Sequence, residues 1–244
     1  MGKTEALFAD WNETIIWSCL QGIMGNVKVN GSQDAAVARL GDFVFFAGKP
    51  CEELLCSDEA DYKQDFFIMV PQNDGWAKII KAYYGKRARK ITRYAIKKEP
   101  DVFDETKLRQ AVSHLAEGYE LRLIAEQEYD LCKQNEWSKD LVSQFGDYDT
   151  YKALGLGVVA LKGGELVAGA SSYSRYAEGI EVEIDTRQDH RRKGLAYACG
   201  AKLILECRKR GLYPSWDAQN LHSVALAEKL GYHFSHEYTA YEVT

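Results

Sequence analysis

The feature that most constrains this chain is a strand, a short basic loop and a helix in direct succession. Apolar and charged residues alternate over residues 180–186, which predicts the strand, and residues 197–210 form an amphipathic stretch that predicts the helix. The loop between them contains Arg191, Arg192, Lys193, Gly194, Leu195 and Ala196. The first turn of a helix offers unpaired N–H groups and the positive end of its dipole. This succession therefore predicts a site for a pyrophosphate.

The small residues of the loop support the same interpretation. Gly194 lets a phosphate approach a backbone that has no Cβ, and Ala196 is also small. Basic residues at a helix start are nevertheless common on solvated surfaces, so a loop without a ligand is the alternative.

The sequence that follows the loop narrows the choice. Gly211 is expected to end the helix, residues 212–216 to form a short strand, and residues 220–230 to form a second helix. Asn220 opens that second helix, which closes on Leu230-Gly231-Tyr232. Two patterns therefore occur in a fixed order at the end of the chain.

Together these patterns resemble those of the GNAT superfamily of acyl-CoA-dependent N-acyltransferases. Arg191, Gly194 and Ala196 fill the superfamily's Arg/Gln-x-x-Gly-x-Gly/Ala pattern, which follows its fourth strand. Asn220 and the Leu-Gly-Tyr ending fill its second pattern. The resemblance covers residues 119–244, and the whole chain resembles a two-part GNAT acetyltransferase family with an N-terminal extension.

The resemblance implies an N-acetyltransferase that uses acetyl-CoA as co-substrate and transfers the acetyl group to an amine by direct attack. It implies that the main chain of residues 184–186 binds the pantetheine arm and the acyl carbonyl, and that the loop backbone binds the pyrophosphate. The coenzyme-binding residues implied in this way are Ile184, Asp185, Thr186, Arg191, Arg192, Lys193, Gly194, Leu195, Ala196, Asn220 and Ser223.

The predicted strand also supplies candidates for the catalytic base. An amine with a pKa of about 10 must lose a proton before it attacks a thioester. Glu181, Glu183 and Asp185 share one face by the two-residue period of a strand. We predict Glu183 as the base, directly or through water, with Glu181 as the alternative. A solvated or ion-paired glutamate is the interpretation without catalysis.

One position departs from the family pattern. Many GNAT enzymes carry a tyrosine in the last helix that protonates the leaving thiolate, and Ala227 stands there in this chain. The thiolate leaves unassisted, or Tyr232, Tyr173 or Ser223 assists it. Ala227 also supports a second hypothesis, a non-catalytic acyl-CoA-binding regulatory protein. A structural half fused to an enzyme partner is a third.

Composition limits the partners. The net charge of −5 predicts no nucleic-acid surface, and the acidic strand face favours a cationic amine as acceptor, either a small molecule or a peptide. The six cysteines form no CxxC pair, which predicts no metal site. Without a signal peptide or a long apolar run, we expect a cytoplasmic protein that does not enter membranes and could form a homodimer.

The predicted fold class is α/β (α+β), with a GNAT N-acetyltransferase domain at residues 119–244 and an N-terminal α+β domain at residues 1–118. In the second domain, helices are expected at 126–133 and from Ser138 to 145, and a hairpin at 156–173. In the first, a helix, a hairpin over 35–47, a strand at 66–70, a helix capped by Asp74 and a strand at 91–96 follow the same order. Residues 71–75 there lack the basic glycine pattern. The first domain is either a degenerate GNAT-like half or an unrelated α+β domain.

Overall fold

The computed structural model describes residues 2–56 and 66–244. The chain divides into two compact units, one formed by Met1–Arg93 with Glu237–Thr244 and the other by Tyr94–His236. These units are defined by contacts within the folded chain, whereas the boundary predicted at residue 118 is a statement about which segment folds on its own. That boundary stays a prediction.

The helices and strands of residues 2–96 are α1 (Lys3–Leu7), α2 (Thr14–Leu20), β1 (Asn26–Val29), β2 (Ala35–Leu40), β3 (Phe43–Gly48), α3 (Glu53–Cys56), β4 (Phe67–Pro71), α4 (Asp74–Tyr84) and β5 (Ala88–Ile96). A 3₁₀ turn at Gly85–Arg87 joins α4 to β5.

The remaining elements are α5 (Glu105–Ser113), β6 (Tyr119–Leu123), α6 (Glu126–Lys133), α7 (Tyr148–Leu154), β7 (Gly157–Lys162), β8 (Glu165–Tyr176), β9 (Gly179–Thr186), α8 (Leu195–Lys209), β10 (Tyr213–Ser215), β11 (Asp217–Ala218), α9 (Leu221–Leu230) and β12 (Phe234–Val243). Short 3₁₀ turns occur at Lys139–Leu141 and Gln188–His190.

The sheet of the first unit is covered on both faces. β1, β2 and β3 pair antiparallel, β3 and β4 pair parallel, and residues 241–243 of β12 pair antiparallel with β4. Every residue of β2 is buried. Phe46 packs in a cluster with Trp76 and Ile80 of α4, and α2, which buries Ile15 and Ile16, contacts β2.

The sheet of the second unit has the strand order β10-β9-β8-β7-β6. Its β9–β10 pair is parallel and the other pairs are antiparallel. Helix α8 packs on it through Leu195, Cys199 and Leu203, which join Ile180 in one apolar cluster. Cys199 and Cys207 are core thiols, and burial raises the pKa of each to about 12.

The two units repeat one arrangement. In each, antiparallel strands lead into a parallel pair (β3–β4 and β9–β10) that is connected through a helix. In each, a helix whose N-cap is asparagine then follows: Asn73 caps α4 and Asn220 caps α9. This shared order supports the interpretation of the first half as GNAT-like.

The repeat corrects the sequence comparison between the halves. Residues 71–75 lead into α4 and therefore match the start of α9, not the basic loop before α8. The counterpart of the basic loop is the connection between β3 and α3, residues 49–52, which reads Lys-Pro-Cys-Glu. It also lacks the basic glycine pattern.

Two local predictions were wrong. The residue that caps α4 is Asn73, whose side chain accepts from the N–H groups of Gly75 and Trp76, and Asp74 is already helical. Ser138 does not open a long helix, because its hydroxyl donates to the Cys132 carbonyl and only a 3₁₀ turn follows. Helix α7 starts separately, with Asp147 as its N-cap.

An ionic cluster around a buried glutamate lies at the C-terminal end of α8. The Glu206 side chain, 7% exposed, accepts from Lys202 at 2.9 Å and from Lys209 and Arg210 at 2.7 Å. Burial opposes ionisation, but the hydrogen bonds from Lys209, Arg210 and Lys202 outweigh it and lower the pKa of Glu206 to about 2. The ionised form is therefore favoured in the folded state, so its stabilisation is present above pH 4.5 and is lost as pH falls toward 2.

We predict that Glu206→Gln lowers the free energy of unfolding at neutral pH by about 1–3 kcal/mol, because three cations lose their charged acceptor. Urea unfolding at a series of pH values measures it, and the difference from wild type should shrink below pH 4.5. The control is Glu136→Gln, at an exposed pair with Lys139, with an expected effect below about 0.5 kcal/mol. Equal losses in the two variants would contradict the prediction.

Candidate functional site

Strand β9 has a neighbour along its whole length on one side only. It pairs with β8 from Gly179 to Thr186, but with β10 only from Gly179 to Glu181. β9 and β10 therefore part after Glu181. Among the described strands, none pairs with residues 182–186 on the β10 side, and this open edge exposes backbone donors and acceptors.

Two N–H groups in this part of β9 bond to the carboxylate of the preceding residue. Ile184 donates to Glu183 at 3.1 Å, and Thr186 donates to Asp185 at 2.6 Å. Both N–H groups belong to residues predicted to bind the pantetheine arm. Since their partners are flexible side chains, a ligand carbonyl can replace these bonds without breaking a strand pair.

The two faces of β9 separate apolar from acidic residues, as the alternation predicts. Ile180, Val182 and Ile184 pack in the apolar cluster of α8. Glu181, Glu183 and Asp185 therefore lie on the opposite face, where Glu181 is buried and the other two are half-buried. The structure brings the three predicted carboxylates together along one strand.

A bulge in β8 lies beside this acidic face. The register shifts between Ser172 and Ser174, so Glu183 lies opposite Ser171 and Glu181 opposite Ser174. The bulge is in the neighbouring strand, so the alternation of β9 is continuous. The Ser174 hydroxyl is buried and has no hydrogen-bond partner among the described residues, which leaves a polar group available beside Glu181.

Three tyrosines surround Glu181. Burial raises the pKa of Tyr176, Tyr213 and Tyr232, and the Glu181 carboxylate contributes to each rise. The Tyr176 hydroxyl bonds to Ser215 at 3.0 Å, and the Tyr232 hydroxyl donates to the Pro214 carbonyl at 2.6 Å. These side chains are thus held as neutral phenols around the deeper carboxylate.

The basic loop is tied to the end of β9 by Arg191. Its Nε donates to the Thr186 carbonyl at 3.1 Å, and its guanidinium lies 3.9 Å from the Asp185 carboxylate. Burial raises the pKa of Asp185 and Asp140 adds to the rise, while the Thr186 N–H and Arg191 oppose it. The Asp185 carboxylate therefore partly compensates the positive charge of Arg191.

Arg187 is a residue of this loop that the sequence analysis missed. It makes a two-point contact with Asp189, with distances of 2.8 and 3.1 Å, and bonds to Glu165 at 3.1 Å. Such a paired contact fixes the plane of a guanidinium. The sequence contained a signal for it, a basic residue two positions before an aspartate directly after the strand.

His190 connects the loop to β6 and was also missed. Its Nε2 lies 3.0 Å from the Arg187 guanidinium, which can only donate, and its Nδ1 lies 2.9 Å from the Tyr119 hydroxyl. The ring is therefore neutral, and Nδ1–H donates to Tyr119. Burial lowers the pKa of His190. The positive charges of Lys193, Arg187 and Lys162 lower it further, and the negative charge of Asp189 opposes this shift.

Gly194 occupies the turn that the loop needs before α8. Its φ is +79°, a left-handed value that favours glycine, and Arg192 has a φ of +59°. A Cβ built on Gly194 would have no atom within 4 Å, so open space lies in front of this backbone. Arg191, Arg192, Lys193 and Gly194 are exposed, while Leu195 is buried and Ala196 half-buried.

The second predicted pattern has local structural roles. The Asn220 side chain accepts from the Ser223 N–H at 3.0 Å, which caps α9, and the Ser223 hydroxyl accepts from the Trp216 indole at 3.0 Å. Their contact with coenzyme stays a prediction. Ala227 is buried in the apolar cluster with Trp216, so nothing at this position can donate a proton.

Among residues 2–56 and 66–244, no group of His, Cys, Asp and Glu side chains is arranged to hold a metal ion. In the same part of the chain, no helix has both the length and the apolar character required to cross a membrane.

The chain is similar in sequence to proteins of an acetyltransferase family. A family model described as GNAT acetyltransferase matches residues 5–241. The chain is also 28% identical over 179 residues to the uncharacterized N-acetyltransferase YdfB of Bacillus subtilis (strain 168). That match covers 72% of this chain and 65% of YdfB, a little less than two thirds of that relative's length.

Solved structures show the same fold. A GCN5-related N-acetyltransferase-like protein from Streptococcus suis is 46% identical, with a TM-score of 0.92 over 99% of this chain and 98% of that chain. A GCN5-related N-acetyltransferase from Kribbella flavida (17% identity, TM-score 0.61, 93% of each chain) shares the fold. A tandem GNAT protein from the clavulanic acid pathway (11% identity, TM-score 0.51, 86% of this chain and 78% of that chain) shares it too. The predicted α/β GNAT fold is confirmed.

We predict that the neutral ring of His190 makes folding stability depend on pH. Because its pKa is lowered from 6.5, the stabilisation is fully present above pH 6.5 and decreases as the pH falls below that value. His190→Gln should flatten this dependence in urea unfolding measured between about pH 8 and pH 5. The control is His222→Gln, at an exposed position, which should keep the wild-type profile. An unchanged profile in His190→Gln would overturn the assignment of the neutral ring.

Proposed function

Because the chain belongs to the GNAT acetyltransferase family, we propose that it transfers an acetyl group from acetyl-CoA to an amine by direct attack. The observation that carries the proposal is the open edge of β9 beyond Glu181, next to a basic loop that leads into α8. A strand edge that has no neighbouring strand and lies beside a helix N-terminus suits an extended amide chain that ends in a pyrophosphate.

The residues present fit the coenzyme. Backbone N–H groups of Ile184 and Thr186 can bind the pantetheine arm and the thioester carbonyl. The first-turn N–H groups of α8, reached over Gly194, can bind the pyrophosphate, with Arg192 and Lys193 exposed beside them. Acetyl-CoA supplies the acetyl group as an activated thioester.

Rate enhancement at this edge comes from fixed donors. A backbone N–H held by the sheet points at the position where negative charge develops on the carbonyl oxygen. One such donor contributes about 3 kcal/mol to stabilisation of the transition state. Ile184 is the donor closest in the chain to Glu183, so charge stabilisation and proton removal lie side by side.

Glu183 acts as the base in this proposal. It is half-buried on the acidic face, and its carboxylate accepts from the Ile184 N–H. When a carbonyl takes that N–H, the carboxylate gains capacity to accept a proton from an ammonium group, directly or through water. Glu181 is the alternative, deeper in the sheet and surrounded by tyrosines.

Ala227 cannot donate a proton to the leaving thiolate. Tyr232 is buried and its hydroxyl donates to the Pro214 carbonyl, which argues against it as the acid. Tyr173 and Ser223 remain candidates, and the thiolate of a thiol with a pKa of about 8.5 can also leave without assistance.

We propose a cationic amine as the acceptor, either a small molecule such as a polyamine or aminoglycoside, or a peptide. The support is the acidic face of β9, where Glu181, Glu183 and Asp185 follow each other. The buried Ser174 hydroxyl beside Glu181 offers one further polar contact.

A second candidate function is a regulatory protein that binds acyl-CoA without turning it over. The apolar surroundings of Ala227 favour it, because the usual proton donor is replaced by a core residue. Thioester turnover on a panel of amines separates the two functions: coenzyme binding without turnover on any amine would favour the regulatory protein.

We predict that Gly194→Val abolishes acetyl-CoA binding in calorimetry while the protein stays folded. A side chain would fill the space in front of the first-turn N–H groups. The matched control is Gly211→Val, because Gly211 also has a positive φ (+66°) and open space around its Cβ, but lies beyond the other end of α8. Both variants should lose similar stability, and only Gly194→Val should lose affinity. Unchanged affinity in Gly194→Val would remove the basis of the proposed function.

We predict that Glu183→Gln lowers turnover about 10²–10⁴-fold with little change in coenzyme affinity, because Gln can still accept from the Ile184 N–H but cannot remove a proton. Steady-state rates on a panel of a polyamine, an aminoglycoside and a lysine peptide measure it. The loss should shrink as pH approaches the pKa of the amine. If Glu181→Gln behaves in this way and Glu183→Gln does not, Glu181 is the base.

A further inference from the structure

A cavity of about 520 Å³ lies at the C-terminal end of α8. Its lining includes Asp101 and Phe103 from the segment before α5, Glu178 from the turn between β8 and β9, Arg208 of α8 and Tyr213 of β10. We refer to it as the Arg208 cavity. Its volume falls within the range of small-molecule sites.

Part of the lining is apolar and held in place by packing. Phe103 and Leu205 are buried in the same core cluster, and Tyr213 packs against that cluster. The ring centres of Phe103 and Tyr213 lie 5.9 Å apart. The Tyr213 hydroxyl accepts from the Glu99 N–H at 3.1 Å, which fixes the ring. A ligand that enters the cavity therefore meets a preformed apolar surface.

The charged part of the lining contains both signs. Arg208 supplies a guanidinium and Asp101 a carboxylate, and both residues are exposed. Among residues 2–56 and 66–244, neither side chain has an ion-pair partner, so the two do not pair with each other either. One cation and one anion thus face the same space separately.

Two other charged residues of the lining already have partners. The Lys209 ammonium lies 2.7 Å from the Glu206 carboxylate, and Glu105 pairs with Arg109. Their charges are therefore partly compensated. Arg208 and Asp101 are left as the groups that a ligand can engage without displacing an ion pair of the lining.

The mixture of charges selects against ligands of a single sign. An anion that approaches Arg208 also meets the carboxylates of Asp101, Glu105 and Glu178, and a cation that approaches Asp101 meets Arg208. A ligand that carries both signs satisfies both groups. The apolar surface of Phe103 and Tyr213 adds a place for an uncharged side chain.

We propose that the Arg208 cavity binds a free α-amino acid with an apolar side chain. The Arg208 guanidinium binds the α-carboxylate through two parallel N–H···O bonds, a geometry that suits arginine. The Asp101 carboxylate accepts from the α-ammonium group. The side chain of the ligand packs against Phe103 and Tyr213 and loses its contact with water there.

This ligand site is separate from the site proposed for acetyl transfer and goes beyond it. Helix α8 has 15 residues, so about 22 Å of helix lie between the cavity and the basic loop. Tyr213 pairs with Gly179, so the cavity lies at the paired end of β9 and β10, whereas the proposed coenzyme edge begins where their pairing stops. The amino acid should therefore bind in the absence of coenzyme.

Calorimetry of the full chain with L-phenylalanine and two analogues tests this proposal. Phenethylamine lacks the carboxylate, and 3-phenylpropanoate lacks the ammonium group. Wild type should bind L-phenylalanine about tenfold more tightly than either analogue, because each analogue loses one charge-assisted contact. L-Leucine serves as a second amino acid.

Two variants assign the two charged contacts. Arg208→Gln should weaken L-phenylalanine about tenfold and leave phenethylamine unchanged, because that analogue has no carboxylate to lose. Asp101→Asn should weaken L-phenylalanine and leave 3-phenylpropanoate unchanged. Asparagine tolerates the left-handed φ of +59° at this position, so this change removes the charge and keeps the backbone.

The matched control is Arg192→Gln, at an exposed arginine near the other end of α8, which should bind L-phenylalanine as wild type does. Thermal melting checks that all variants fold. Failure of wild type to bind either amino acid at millimolar concentration, or unchanged affinity in Arg208→Gln, would overturn the site without bearing on the proposed acetyl transfer. Binding that Glu183→Gln or Arg192→Gln weakens and Arg208→Gln does not would place the ligand at the acetyl-transfer site and also overturn the proposal.

Discussion

The separation of β9 from β10 after Glu181 is the constraint on which the candidate site depends. At the start of the pair the strands are very close, since a Cβ on Gly179 would lie 2.0 Å from the Tyr213 carbonyl oxygen. Three residues later the pairing ends, and β9 continues beside β8 alone. Strand β9 thus keeps one partner strand over residues 182–186 and leaves its other edge without one. The proposed coenzyme site therefore depends on where this strand pair ends.

The basic loop is held in position by hydrogen bonds to strands of the same sheet. Arg191 bonds to the last carbonyl of β9, and His190 bonds to Tyr119 of β6. Arg187 is held between Asp189 and Glu165. The Lys193 ammonium donates to the Asp189 carbonyl at 2.9 Å, and the side chains of Arg192 and Lys193 are exposed. Polar contacts thus hold the loop in position, and its exposed basic side chains place positive charge at the surface.

Local patterns predicted the parts of the site that depend on local chemistry. The alternation over residues 180–186 gives both the strand and its acidic face, and Gly194 gives the turn before α8. The pairing of His190 with Tyr119 spans 71 residues, and no spacing rule reveals it. Asn73 and Asp74 are both good capping residues, and only the backbone conformation decides between them. Matching the elements of the first half to those of the second required the direction of the strands. The β3–β4 pair is parallel, and a hydropathy pattern does not reveal strand direction.

The asparagine caps of α4 and α9 have a consequence for how such chains are recognised. Asn73 starts α4 in a unit where residues 49–52 have no basic glycine loop, so its presence there reflects helix initiation alone. Asn220 starts α9 through the same bond to a backbone N–H. An asparagine at this position therefore meets the capping requirement of a helix, with or without a basic glycine loop earlier in the unit. A search that uses this asparagine as a marker will therefore also collect capped helices in units without such a loop, so the glycine-containing loop is the more specific of the two patterns.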